Sequence, residues 1–402
     1  MEKTEELYYT SAYISEFSAQ VLTCEEKENG KYAVVLDRTA FFPEQGGQSS
    51  DIGTLMDDAG AEYSVTHVSI RRDDNGDQII SHILDKDLPV GAKVMGKIDW
   101  NHRFSNMQQH TGEHIFSGVV NSQYGYNNVG FHLSDNEVTM DYDGVLTEED
   151  IVKIENTVNE AIWQNIEVIT EFPDSEKLSS IDYRSKKELE GDVRIVTIPG
   201  YDVCACCAPH VARTGEIGIL KVVSLQNYKG GVRVSILCGK RALEYLRGQH
   251  ETVKKLSGML TTSDDKVIAS VERAFEDNRN LKAQLARAGE ELMEYELSRI
   301  PADRTDVFVV KATDIDGNLM RKTVNSLAEV HSGVCGFFAA AGAGYKYIIA
   351  SGSDNKDLKM LQGILKERLG AKGGGSSAMI QGSIADGSGL SEEILYELIS
   401  AL

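Results

Sequence analysis

Apolar and polar positions alternate in short runs near the N-terminus: around Tyr8 to Leu22, then Lys31 to Arg38, Glu62 to Arg71 and Gln78 to Leu84. Turn formers separate the runs, as in Glu28-Asn29-Gly30 and Asp74-Asn75-Gly76. Period-two alternation broken at such intervals predicts a small β-barrel or sandwich over residues 1–95. From Ile98 to Leu246 the texture is mixed. Phe104 to Val120 and Thr147 to Gln164 read as helices, while Val193 to Ile198, Ile217 to Ser224 and Val232 to Cys238 read as strands. The second helix opens Thr147-Glu148-Glu149-Asp150, a capping hydroxyl ahead of carboxylates that complement a helix N-terminus. These elements predict an α+β domain over 96–250.

From Ser263 the spacing changes again. Ser263 is a good N-cap with Asp264 and Asp265 behind it, and the next breaker is Pro301. Between them Val267, Val271, Ala274, Asn278, Leu281, Leu285, Ala288, Leu292 and Tyr295 follow steps of four and three. That is a heptad seam with Asn278 at an a position, the polar choice that fixes register in coiled coils. A helix over Asp264–Ile300 would be about 55 Å long at ~1.5 Å per residue. The seam predicts a coiled coil within 251–300 and a homodimer; a helix packed on its own chain is the alternative. Beyond Pro301, strand-like Val307 to Ala312, Val334 to Ala340 and Tyr345 to Ala350, with a helix near Leu319 to His331, predict a C-terminal α/β domain over 301–402. Gly370 to Ser377 is not a nucleotide-binding P-loop, because its lysine precedes the glycines. It reads either as a phosphate-cradling stretch or as a flexible loop.

Candidate chemistry sits in two segments. His110-Thr111-Gly112-Glu113-His114 puts two imidazoles on one face of the predicted helix. Cys206-Cys207-Ala208-Pro209-His210 adds a thiol and a third imidazole from a proline-containing turn. Three imidazoles and a thiolate suit tetrahedral Zn2+. Cys204 and Cys207 are alternative sulfur ligands. His110, Glu113 and His114 also match the H-x-x-E-H pattern of inverted zinc peptidases, although Glu113 is expected to face solvent.

The wider pattern is more specific. Asn106 to His114 resembles the first zinc motif of alanyl-tRNA synthetase editing domains and of their freestanding relatives, the AlaX proteins. Cys206 to Gly218 is similar to their second motif, with Ala208 where the family usually has Gly. Phe42-Pro43-Glu44-Gln45-Gly46-Gly47-Gln48 resembles the glycine-rich motif upstream of both. The stretch after Pro301 looks like the C-terminal domain of alanyl-tRNA synthetases. The resemblance implies an α+β multidomain protein: an N-terminal β-barrel, an α+β zinc editing domain, a long coiled-coil helix and a C-terminal α/β domain. It implies hydrolysis of Ser, or Gly, from mischarged tRNA(Ala), with Zn2+ on His110, His114, Cys206 and His210. The same editing fold serves threonyl-tRNA synthetases, so tRNA(Thr) is a competing substrate. Thr39, Gly46, Gly47 and Gln48 are the candidate substrate-binding residues. Glycines admit close backbone approach and Gln48 offers a donor and an acceptor, while a plain turn between barrel strands is the bland alternative. No class II catalytic domain precedes the β-rich module, so an aminoacylating ligase is not expected.

Composition narrows the picture. The 402 residues carry 41 Lys+Arg against 62 Asp+Glu, a net charge of −21. Phosphate neutralisation supplies most non-specific nucleic-acid affinity, so any tRNA contact must use local clusters such as Arg71-Arg72, Arg184 to Lys187, Lys240-Arg241, Lys254-Lys255 and Arg321-Lys322. Three of the six cysteines fall within Cys204 to Cys207, which is no disulfide framework. The N-terminus lacks an apolar signal core, and Gly333 to Tyr345 is too short to span a bilayer. A cytoplasmic protein with reduced thiols and no membrane partner is expected. Four protein ligands close a tetrahedral site, which is the usual arrangement of structural zinc. A non-catalytic tRNA-binding module stapled by zinc is therefore the rival reading outside the enzymes.

Overall fold

The computed structural model describes residues 4–27, 30–72, 78–134, 138–185 and 193–400. The chain divides into two compact units, Met1–Lys255 and Leu256–Leu402. The first opens with β1 (Glu5–Glu6), α1 (Leu7–Thr10), β2 (Glu16–Glu26), β3 (Tyr32–Leu36), β4 (Arg38–Thr39), β5 (Gly53–Asp57), β6 (Glu62–Arg72), β7 (Gln78–Leu84) and β8 (Lys93–Ile98). Six of these close a barrel in the order β2-β3-β7-β6-β5-β8. Alternation does the work: β8 throughout and β2 as far as Val21 bury every second residue, and Phe17, Val21, Val34, Leu36, Leu55, Val65 and Ile98 meet inside. Register shifts at Val21/Thr23 and Val65/His67 bend the strands around the barrel, as bulges do. Two barrel strands, β5 and β8, were not expected from the sequence. Residues 8–10 of the expected first strand belong to the helical turn α1 instead, with Tyr8 buried. Of the expected turns, Asp74-Asn75-Gly76 and the Glu28-Asn29 half of the other lie outside the described residues.

The rest of the unit holds α2 (Trp100–Tyr124), β9 (Asn128–Leu133), β10 (Val138–Tyr142), α3 (Glu148–Trp163), β11 (Ile169–Glu171), α4 (Ser175–Ser180), β12 (Ile195–Ile198), β13 (Asp202–Ala205), β14 (Leu220–Tyr228), β15 (Gly231–Cys238) and α5 (Gly239–Leu260). Ile217, expected to open a strand, instead ends a 3-10 turn (Thr214–Ile217) before β14. A β14-β15-β10-β9 sheet and a β11-β12-β13 sheet flank α2. Asp99 caps α2 by accepting from the His102 amide, and Gly125 ends it in the left-handed region. Thr147 and Asp150 form a reciprocal capping box on α3, at the expected start. Arg103 of α2 is fully buried against Asp51, with Nε 3.0 Å from both carboxylate oxygens. Its other nitrogens donate to the carbonyls of Ala12 and Ala40, so one side chain ties α2 to the barrel's connecting segments.

The second unit contains a short 3-10 turn at Asp264–Lys266, then α6 (Val267–Ser298), β16 (Val307–Lys311), α7 (Gly317–Val330), β17 (Val334–Ala341), β18 (Gly344–Ser351), α8 (Leu358–Leu369), β19 (Lys372–Gly375), β20 (Met379–Ile384) and α9 (Glu392–Ile399). The sheet order is β16-β17-β18-β20-β19, with only β16 and β17 parallel. Ser263 occupies the N-cap position without a side-chain cap; Asp264 instead accepts from Ser257 at 2.5 Å. Along the heptad seam Val267 is buried and Val271 half-buried, while Ala274, Asn278, Leu281, Leu285, Ala288, Leu292 and Tyr295 are exposed. Of the glycine-rich stretch, Gly370 ends α8 in the left-handed region, and residues 372–375 are extended. Those four residues form edge strand β19, paired to β20 from Lys372↔Ser383 to Gly375↔Ile380.

Candidate metal centre

Helix α2 is buried on all sides over residues 106–120, so its polar side chains must find partners inside the protein. His110 and His114 project from it one turn apart. Cys206 and His210 come from the loop after β13, whose carbonyls at Cys206 and Ala208 accept from Arg194 Nη1 at 3.0 and 2.8 Å. One donor atom from each of the four residues lies within 4.8 Å of all the others. Cys206 Sγ is 3.5 Å from His110 Nε2 and 3.4 Å from His210 Nε2. Cys206 is half-buried, and the three histidines are buried.

Hydrogen bonds behind the rings fix which nitrogen faces the cluster. His110 Nδ1 donates to Gln48 Oε1 at 2.7 Å, and His114 Nδ1 donates to Asp202 Oδ2 at 2.9 Å. Thr111 Oγ1 gives its own proton to the Met107 carbonyl, so it accepts from His210 Nδ1 at 3.1 Å. All three Nδ1 atoms are thereby donors, and all three Nε2 lone pairs remain for a cation. That is the tautomer pattern typical of metal-ligating histidines. Burial, then the neighbouring His114 and His110, hold His210 well below the ordinary imidazole value. Burial also disfavours charge on His114, but the Asp202 hydrogen bond and the nearby Cys204, Asp202 and Glu113 outweigh it and raise its pKa.

The alternative sulfurs stand elsewhere. Cys204 groups with His114 and Asp202, and burial pushes its thiol up to about 11. Cys207 packs 3.3 Å from where a Cβ on Gly46 would lie, and burial pushes it up to about 12. Glu113 does not face solvent as expected. It is 1% exposed, and its Oε1 accepts from Ser117 at 2.7 Å and Asn128 at 2.6 Å.

Residues 45–48 do form a tight turn, with mutual Gln45–Gln48 backbone bonds, and the turn docks on the end of β9 through Leu133. Gly47, at φ 85°, could carry no side chain there, since a Cβ would meet the Phe131 carbonyl at 2.5 Å. The outcome is to bury Gln48 beside His110. Gln48 thus lies behind a candidate ligand, and its Nε2 is buried with no partner. Thr39 bonds instead to His82: Oγ1 is 2.8 Å from Nε2, and the Phe41 amide donates to the same oxygen. None of these partners belongs to the four-donor cluster. Sequence reasoning missed Asp202, Thr111 and Arg103, whose partners in the fold lie between 52 and 99 residues away.

The chain's similarities agree with this layout. Residues 1–102 match the family model "tRNA synthetases class II (A)", and residues 193–235, which include Cys206 and His210, match "Threonyl and Alanyl tRNA synthetase second additional domain". An alanine–tRNA ligase of Methanobrevibacter smithii is 28% identical over 405 residues, covering 95% of this chain and 44% of that one. One of Ignicoccus hospitalis is 30% identical over 410 residues, covering 99% and 43%. The chain thus spans less than half the length of these relatives. The solved C-Ala domain of Aquifex aeolicus alanyl-tRNA synthetase overlaps 24% of this chain and 93% of its own at 20% identity, with a TM-score of 0.22. On the extent of the sequence matches, the chain is related to alanyl-tRNA synthetases over nearly its whole length.

Proposed function

We propose that this protein is a cytoplasmic trans-editing hydrolase that removes Ser, or Gly, from mischarged tRNA(Ala) by Zn2+-dependent ester hydrolysis. The observation that carries the reading is the convergence of three Nε2 atoms and one thiol on a common point, with every Nδ1 occupied from behind. The donor set fits zinc: tetrahedral, nitrogen and sulfur, all from rigid buried elements. A zinc ion there would supply Lewis-acid polarisation of the ester carbonyl or a hold on the substrate's amino group. The protein's own groups do the rest. His110, His114, His210 and Cys206 hold the centre, and the exposed side of Cys206 marks the direction of approach. Gln48 is anchored through Oε1, which leaves Nε2 as a buried donor for a substrate oxygen. Gly46 and Gly47 keep the turn close enough for that contact.

Deacylation of Ser-tRNA(Ala) and Ser-tRNA(Thr), assayed side by side, tests substrate and activity together. His110→Ala or His210→Ala should abolish zinc-dependent hydrolysis. Full activity in a verified metal-free preparation would sink the reading, and zinc binding without hydrolysis would leave a structural staple on a tRNA-binding module. Gln48→Glu keeps the acceptor for His110 but removes the donor. It should retain zinc and narrow the serine-over-alanine preference, which a site built to bond a hydroxyl can raise to as much as ~10⁴-fold.

The quaternary reading rests on α6. Its seam from Ala274 to Tyr295 is exposed within this chain, with Leu285 75% exposed, and it fits a second copy in a coiled coil. Lysines at Leu281 and Leu285 should convert a dimer to a monomer in light scattering. Among the described residues no helix is long and apolar enough to cross a membrane. A four-part division at 1–95, 96–250, 251–300 and 301–402 would assign barrel, editing, coiled-coil and C-terminal roles in turn.

A further inference from the structure

Behind His114 the polar contacts continue to a residue outside every motif. Asp202, at the start of β13, uses Oδ2 for His114 Nδ1 and Oδ1 for Arg184, whose Nε donates at 2.7 Å. The carboxylate is 1% exposed and the Arg184 side chain 18%. Arg184 is delivered there by its backbone. Its amide donates to the Val203 carbonyl at 2.9 Å, and its carbonyl accepts from the Ala205 amide at 2.9 Å, which lays this short extended stretch along β13.

We propose that Arg184 is a positioning residue for the metal centre, acting through Asp202 on His114; the inference rests on the zinc reading above. A carboxylate holding a histidine by one oxygen can still turn about its own axis. A second, charge-assisted bond to the other oxygen fixes its plane and so the direction of the imidazole. Charge balance points the same way. Asp202, Cys204 and Glu113 all lie close enough to act on Arg184, and their effect outweighs the cost of burying it. The guanidinium also bears on a second donor group. His114, Asp202 and Cys204 place donor atoms within 4.8 Å of one another and by donor type alone would suit another cation. Arg184 already supplies the positive charge at Asp202, so the cluster serves one metal and not two.

Zinc dissociation constants, measured on the full chain by competition with a chromophoric chelator, test this in the wild type, Arg184→Gln, Arg184→Lys, Asp202→Asn and the Arg184→Gln/Asp202→Asn double variant. Arg184→Gln should weaken zinc by about 10–100-fold, the range for losing a group that orients a ligand. Arg184→Lys keeps the charge without the fork and should fall between. Metal-free melting temperatures should stay close to wild type, which separates positioning from a general packing defect. In the Asp202→Asn background the Arg184→Gln change should add less than about twofold, because the path is already cut. Unchanged zinc affinity in Arg184→Gln, or an equal loss in the Asp202→Asn background, overturns the inference. If Arg184→Gln fails to fold, Arg184→Lys in the two backgrounds decides by the same criterion. A wild type that binds no zinc removes the zinc reading and this inference together; normal zinc binding with unaffected variants removes the inference alone.

Discussion

Two long helices, one in each unit, are built on opposite terms. Helix α2 buries sixteen of its 25 residues, among them Arg103, Gln109, His110, Thr111, Glu113, His114 and Ser117. Helix α6 buries only Val267 and Met293 of its 32, and leaves Ile268, Phe275, Leu281, Leu285 and Leu292 in solvent. Helix α2 carries polar side chains into the interior, while α6 leaves an apolar seam outside. Polarity is tolerated in α2 because its groups are paired across the unit: Gln109 with Cys238, His114 with Asp202, Arg103 with Asp51. A hydrophobic pattern therefore reports what a helix is able to bury, while hydrogen-bond partners decide what it does bury.

That contrast can be broken by substitution. Arg103→Met leaves the Asp51 carboxylate buried without its cation, and chemical denaturation should show about 3–5 kcal/mol lost, the usual cost of halving a buried pair. A loss under about 1 kcal/mol would mean that α2 is not anchored by charge. Acid should separate the units next. His82 donates Nδ1 to the Val34 carbonyl and accepts from Thr39, and burial holds its pKa down to about 4. The unfolded chain, with its imidazole near 6.5, takes up that proton first. The contribution is therefore whole above about pH 6.5 and drains away towards pH 4, by roughly 3 kcal/mol. His82→Gln should flatten that slope in denaturation curves taken between those limits; an unaltered slope would place the acid-sensitive group elsewhere.

One substitution made in both helices should have opposite signs. In α2 a Cβ at Gly118 would lie 2.2 Å from the Tyr201 carbonyl, so Gly118→Ala should cost about 1–3 kcal/mol through overpacking. In α6 a Cβ at Gly289 meets nothing nearer than Leu319 at 3.7 Å, so Gly289→Ala should stabilise by about 0.5–1 kcal/mol through helix propensity. Thermal melts of the pair decide it, and a common sign would erase the distinction between the helices. The smallest effect belongs to Leu285→Lys. It should alter the stability of a dilute monomer by less than about 0.5 kcal/mol, since that side chain has no packing to lose there.

Local pattern was legible and long-range pairing was not. Thr147 announced its capping box, and the His110/His114 spacing announced a shared helix face, because both depend on neighbours within four residues. Strands β5 and β8 were hidden for the same reason. In β8 the inward positions are Val94, Gly96 and Ile98, and Gly96 carries no apolar side chain because the Phe17 ring occupies its place. Gln48 was singled out as a substrate reader, yet its firmest contact is His110, 62 residues along. Glu113 was expected in water by counting helix faces, a rule that assumes one face is wet. In α2 none is over residues 106–120. Asp202 gave no local signal, and Arg184 read only as the head of a basic cluster, although its side chain turns inward to Asp202.

The spacing between the two donor segments has a consequence for how the protein is made. His114 and Cys206 are joined through β9, β10, α3, β11, α4, β12 and β13, so the four donors meet only when that whole stretch has found its place. Closing a loop of that length costs roughly 4–5 kcal/mol of chain entropy, which the intervening sheets must offset as they form. An ion held by both segments would bridge the two ends of that loop and add its binding free energy to the folded unit. Folding and loading of this unit would then be linked: whatever the folded cluster binds more tightly than the unfolded chain does raises its stability.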